Sequence, residues 1–120
     1  MAFAPIGNPN NPPLVRWRGY SGRIYDFQLD QIGALYHDRP GVYIACKLAS
    51  NGNWDPIYIG ETSSFRDRLT DNLLTHHKWQ RFRAVGATHF CTLHVPGGLA
   101  LREGIETDLR RQIRTPCNDQ

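Results

Sequence analysis

Lysine is almost missing from this sequence. Of its 14 basic residues only Lys47 and Lys78 are lysine, and the rest are arginine. Acidic residues number 11, so the net charge is only +3, too small an excess to establish nucleic-acid binding by itself. The choice of arginine says more. Its planar fork matches pairs of phosphate oxygens, although a general bias toward arginine gives the same composition. Cysteine is sparse and odd in number (Cys46, Cys91, Cys117), and no charged-then-apolar signal opens the chain. A reduced, cytoplasmic protein is therefore expected. No apolar run approaches the length of a membrane span, so no membrane partner is expected. Nothing repeats at a fixed period. His89, Cys91 and His94 lack the common zinc spacings, and strand alternation sets His94 opposite the other two, so structural zinc is not expected.

What remains is a 120-residue chain with 40% hydrophobic residues, enough for one modest core. Residues 1–13 hold four prolines among Asn and Gly and read as a flexible arm, leaving residues 14–120 as a single domain. "VRWRGYSGRIYDFQL" reads as a hairpin turning at Ser21-Gly22. Leu29 to His37 is predicted as a short helix with Asp30 as a cap, stopped by Pro40. Gly41–Leu48 and Ile57–Gly60 read as strands joined by a loop containing Asn51-Gly52. Thr62, Ser63 and Ser64 offer caps for a helix whose stripe is Phe65, Leu69 and Leu73. Thr88–Val95 is a further strand. Leu99–Arg114 is the clearest helix, with Leu101, Ile105, Leu109 and Ile113 on one stripe. These elements predict an α/β domain of the α+β type, with a small, mainly antiparallel sheet flanked by helices.

Alternation places Val42 and Ile44 on one strand face and Tyr43 on the other, and likewise Ile57 and Ile59 opposite Tyr58. Pairing of the two strands then stands both phenols on one face. Gly60 ends the second strand without a side chain, so backbone or ligand can come close. Arg68 flanks the stripe of the following helix, and Glu106 flanks the stripe of the last one. Two phenols, a guanidinium and a carboxylate suit phosphodiester hydrolysis: the carboxylate holds a divalent metal, metal and arginine neutralise charge on the phosphate, and a phenol assists deprotonation of water. The same residues also fit a half-buried sheet with ordinary surface charges.

Taken together, these residues resemble the GIY-YIG endonuclease family. Gly41-Val42-Tyr43 is similar to its first motif, with Val for the central Ile, and Tyr58-Ile59-Gly60 matches its second. Arg68 stands at the family's offset from Gly60. Glu106, twelve residues before Asn118 in "ETDLRRQIRTPCN", is similar to its closing stretch of glutamate, helix, Pro and Asn. The resemblance covers roughly residues 40–118. It implies that Tyr43 is the general base or positions the attacking water, and that Tyr58 binds water or phosphate and supports it. It further implies that Arg68 holds the scissile phosphate, that Glu106 binds one Mg²⁺ or Mn²⁺, and that Asn118 hydrogen-bonds near the base of the site. Two positions depart from the pattern. Glu61 stands where some members have lysine, and Asn72 where some have histidine. His76 and His77 lie a further turn on, and a short insertion in the helix would return one of them to the site.

The implied function is metal-dependent hydrolysis of DNA, with three uses open: a nuclease for single-stranded or unpaired DNA, a restriction-type enzyme acting as a homodimer on duplex, or an enzyme needing a protein partner. A non-catalytic nucleic-acid-binding module on the same fold is a further alternative. "KWQRFR" and "VRWRGY" mix aromatic and basic residues in a way that suits unpaired bases. Lys78, Arg81 and Arg83 are candidate contacts there, with Trp79 and Phe82 expected in the core. Arg110, with Arg111 and Arg114, extends the basic surface.

Overall fold

The computed structural model describes residues 13–118 and the backbone of Ala2–Phe3. Six strands form one antiparallel sheet: β1 (Ala2–Phe3), β2 (Leu14–Arg18), β3 (Ile24–Gln31), β4 (Gly41–Leu48), β5 (Asn53–Thr62) and β6 (His89–His94). Their spatial order is β1-β5-β4-β6-β3-β2. β6 thus separates β3 from β4, pairing with both. The helices are α1 (Trp79–Val85) and α2 (Leu99–Gln112). The expected α+β architecture is what the chain adopts. No helix among the described residues is long and apolar enough to cross a membrane. At the start of the chain Ala2 and Phe3 pair with Trp54 and Asn53 of β5, and the rest of the expected arm, up to residue 12, lies outside the described residues.

The sheet carries a core on each face. One holds Val15, Trp17, Phe27, Val42, Ile44 and Ile59 under Ile105 and Leu109 of α2. The other holds Tyr43, Ala45, Ile57 and Phe90 under Phe65, Leu69, Leu73 and Phe82. The two hairpins form where Ser21-Gly22 and Asn51-Gly52 predict them, with Arg18 opposite Ile24 and Leu48 opposite Trp54.

Four expectations change. The helix predicted from Leu29 is absent; β3 continues to Gln31, because Leu29, Asp30 and Gln31 find partners in Cys91, Phe90 and His89. Ile57 does not share a face with Ile59. Ala45 pairs with Tyr58 but Cys46 with Pro56, so Ile57 is an extra residue in a β-bulge and packs on the Tyr43 side. Proline, lacking an N–H, is tolerated beside such an irregularity. On α2, Leu101 is 47% exposed while Arg102 is only 9% exposed, so a charged residue occupies the buried end of the expected stripe.

The fourth change concerns the segment after β5. Phe65, Leu69 and Leu73 are buried as expected, but no continuous helix carries them. Arg66–Asp71 is a widened π turn, with the Asn72 N–H reaching the Asp67 carbonyl at 2.9 Å, and Leu73–Thr75 is a 3₁₀ turn. Asn72, at φ −119° and ψ 25°, breaks the helix between them.

Candidate active site

That break decides where the histidines go. His76 is 6% exposed, and its Nε2 lies 2.6 Å from the hydroxyl of Tyr43. His77 stacks on it, with ring centroids 4.8 Å apart and planes at 11°. Tyr58 meets both edge-on, at 5.8 Å from His76 and 6.1 Å from His77. The Tyr43 and Tyr58 rings are 6.0 Å apart. A β-carbon at Gly60 would lie 2.8 Å from the Tyr43 hydroxyl and 2.7 Å from the Tyr58 ring. Glycine stands at position 60 because the two phenols cover it.

The hydrogen bonds have a direction. His76 Nδ1 accepts the Lys78 backbone N–H at 3.0 Å. A neutral imidazole accepting at Nδ1 carries its proton on Nε2, so Nε2–H donates to the Tyr43 oxygen. The imidazole is neutral at pH 7, because burial, helped by the nearby charges of His77, Arg68 and Lys78, pushes its pKa down to about 4. With His76 Nε2–H directed at the Tyr43 oxygen, the Tyr43 hydroxyl proton points elsewhere and is available to Tyr58, whose ring lies 6.0 Å away and to which Tyr43 is hydrogen-bonded. A donor chain therefore runs from Lys78 N–H through His76 and Tyr43 to Tyr58.

Burial, then the neighbouring Tyr58, hold the Tyr43 phenol well above its ordinary pKa; Arg68 opposes this and Glu106 adds to it. Tyr58 is also raised, by burial and then Glu106, with Arg68 and Arg110 opposing. Tyr43 is 1% exposed and Tyr58 is only partly buried. Both phenols are protonated at neutral pH, and Tyr58 is the one that meets solvent. Arg68, on the π turn, lies within electrostatic reach of both tyrosines and both histidines.

Glu106 approaches from α2. Its carboxylate accepts the Glu61 backbone N–H; burial raises its pKa first of all, Arg110 opposes, and Glu61 and Glu103 raise it further. The Glu61 side chain is paired with Arg102 at 2.8 Å. A sequence reading gave no sign of this pair, because nothing local links residues 41 apart. It draws off the extra carboxylate that departs from the family pattern. Among the described residues no group of three His, Cys, Asp or Glu side chains could hold a metal. Glu106 alone fits a hard dication that keeps its waters and takes further oxygen ligands from a phosphate, as Mg²⁺ does.

Asn118 clamps the strand beneath the site. Its Oδ1 accepts the Ile59 N–H at 2.6 Å and its Nδ2 donates to the Ile59 carbonyl at 2.8 Å. The Cys117 N–H bonds to the Ile57 carbonyl at 3.0 Å, so residues 117–118 cover the edge of β5 next to Tyr58. This is a positioning role. Of the other basic residues, Arg110 is close enough to act on Tyr58 and Glu106. Arg81 donates to the Pro116 carbonyl at 2.8 Å, and Arg83 is exposed on α1. Trp17 and Phe82 are buried at 4% and 0% exposure, so neither can stack on a base, while Tyr20 is 66% exposed. No protein-family profile, curated protein or solved structure matches the chain.

Proposed function

We propose that this chain is a metal-dependent endonuclease of the GIY-YIG kind that hydrolyses phosphodiester bonds in DNA. The observation that carries this reading is the meeting of Tyr43, Tyr58, Arg68, His76 and Glu106, from four separate segments, around the side-chain-free Gly60. Such a set offers a proton acceptor, a phosphate-binding cation and a metal-binding carboxylate within one cleft.

Arg68 binds the non-bridging oxygens of the scissile phosphate and offsets the charge that grows on them. Tyr58, the phenol that meets solvent, first loses its own proton to solvent; the phenolate so formed then takes the proton of the attacking water and returns to the phenol. Tyr43 steadies the phenolate form by donating its hydrogen bond, and His76 Nε2–H holds Tyr43 in the orientation to do so. This reverses the division of labour that the resemblance suggests for the two tyrosines, and it follows from the burial of Tyr43. Glu106 supplies the carboxylate for one Mg²⁺ or Mn²⁺, a Lewis acid that, when bound, stabilises phosphoryl charge and cancels the pull of Glu106 against phenolate formation. Asn118 fixes the β5 backbone beneath Tyr58. Cys46, Cys91 and Cys117 are all buried, which suits a reducing compartment such as the cytoplasm.

The test is cleavage of labelled single-stranded, duplex and branched DNA, and of RNA, with Mg²⁺ and with EDTA. Metal-dependent products from DNA that disappear in Glu106→Gln support the reading. Binding without cleavage of any substrate would instead make the chain a non-catalytic nucleic-acid module.

A further inference from the structure

The turn joining β2 to β3 is fastened to α2 at a single residue. Ser21 donates to the Asp108 carboxylate from its backbone N–H and from its hydroxyl, both at 2.8 Å. The Tyr25 hydroxyl donates to the same carboxylate at 2.7 Å, and the Tyr20 N–H bonds to the Asp108 carbonyl at 2.9 Å. A β-carbon at Gly19 would overlap the carboxylate, so only glycine lets the turn close this tightly. All this anchoring leaves the Tyr20 side chain 66% exposed on a fixed backbone, with no place in either core.

The guanidinium carbon of Arg111 lies 6.0 Å from the centre of the Tyr20 ring. Arg111 also lines an open groove of about 910 Å³ that includes Arg110 and Arg114 and extends to Asn118. Among the described residues lining it, none is acidic. Arg110 links groove and cleft, since its charge acts on both Tyr58 and Glu106. A chain of phosphates leaving the cleft along α2 therefore meets arginines, and then an exposed aromatic ring held rigidly beside one of them.

A planar ring on a fixed turn, next to a phosphate-binding cation, has the chemistry of a base-stacking platform. Bases within a continuous duplex already stack on one another and do not present their faces; unpaired bases do. We propose that Tyr20 and Arg111 bind one unpaired nucleotide of single-stranded DNA, Tyr20 stacking on the base while Arg111, with Arg110 and Arg114, holds the adjoining phosphates. This deepens the nuclease reading by naming its substrate class, and only the placement of that nucleotide beside the scissile phosphate rests on that reading.

The experiment measures binding without turnover. Fluorescence anisotropy in EDTA, at fixed salt, compares a labelled dT oligonucleotide of about 12 nucleotides with a hairpin duplex and with the matching rU oligonucleotide, a length chosen to fill one binding surface. Loss of one base–aromatic stack is worth about tenfold in Kd. Tyr20→Ala is expected to weaken dT binding by about that factor, Tyr20→Phe to keep it within about twofold, and neither to change duplex binding. Circular dichroism checks that both variants fold. Unchanged dT affinity in Tyr20→Ala, equal losses in the Ala and Phe variants, or tighter wild-type binding to the duplex would each overturn the proposal; tighter binding of rU would overturn its assignment to DNA. A protein with the expected Tyr20 dependence that cuts nothing with Mg²⁺ refutes the nuclease reading and leaves this inference standing. A protein that cuts DNA without any Tyr20 dependence does the reverse.

Discussion

Replacing His76 by glutamine tests the buried donor chain through stability, with no reliance on catalysis. His76 is 6% exposed, and its pKa falls from the ordinary 6.5 to about 4 in the folded protein. A histidine with a depressed folded pKa binds its proton more readily in the unfolded chain. Its contribution is therefore fully present above pH 6.5 and is lost as pH falls through 6.5 toward 4. Applying both pKa values to the two states gives a loss of about 2 kcal/mol between pH 7 and pH 4.5. Glutamine can still accept the Lys78 N–H and donate to Tyr43, but it does not titrate. Urea unfolding, followed by tryptophan fluorescence at both pH values, reads the difference. The wild-type midpoint should fall by about 1 M more than that of His76→Gln, given typical urea slopes for small domains. Carboxylates and the other histidines titrate in both proteins and cancel in the comparison. Parallel loss of stability in the two proteins would show that His76 is not held neutral in the fold, and the assigned direction of its hydrogen bonds would fall with it.

Glu106→Gln should remove Mg²⁺-dependent cleavage while leaving the thermal midpoint within a few degrees, as checked by gel assay and circular dichroism. Tyr58→Phe should lower the single-turnover rate more than Tyr43→Phe does, and the wild-type rate should climb from pH 7 to 9 because both phenols are raised; the opposite ranking would make Tyr43 the base, and a flat pH profile would refute a tyrosine base. Arg68→Lys should be nearly as damaging as Arg68→Ala in steady-state kcat/KM, because the charge survives but the two-pronged contact does not. Gly60→Ala should cost about 1–3 kcal/mol in chemical denaturation, since its methyl group would overlap both phenols.

The pairing of β6 with β3 and β4 joins segments distant along the chain and was not legible in the sequence. Most of the strands and the two hairpin pairings were, because alternation and two Gly-containing turns specify them. Tyr43, Tyr58, Arg68 and Glu106 were legible as a set for the same reason: each lies one position off a buried stripe or on a strand's second face. The bulge at Ile57 was not, because an extra residue in one strand is fixed by its partner's register. The burial of His76 was also hidden. It depends on Asn72 breaking a helix that the Phe65, Leu69 and Leu73 stripe would continue, a contest between periodicity and local backbone that only the packed structure decides. Arg102 was missed because its burial is made possible by Glu61, a partner on a distant strand.

The place of β6 between β3 and β4 bears on how the molecule assembles. The hairpins β2–β3 and β4–β5 are each local in sequence and can close within microseconds. They do not touch each other through a ladder, and neither alone covers its apolar surface. Only when β6 inserts between them does a continuous sheet exist on which Phe90 and Cys91 can complete the two cores. Pairings so distant along the chain place the domain among slower folders, on the order of milliseconds to seconds. They also make its unfolding all-or-none. Withdrawing β6 frees both hairpins at once, and Tyr43 loses Phe90 from beside it in the same event. A cut in the short connection between α1 and β6 should thus cost the whole fold rather than one edge of it.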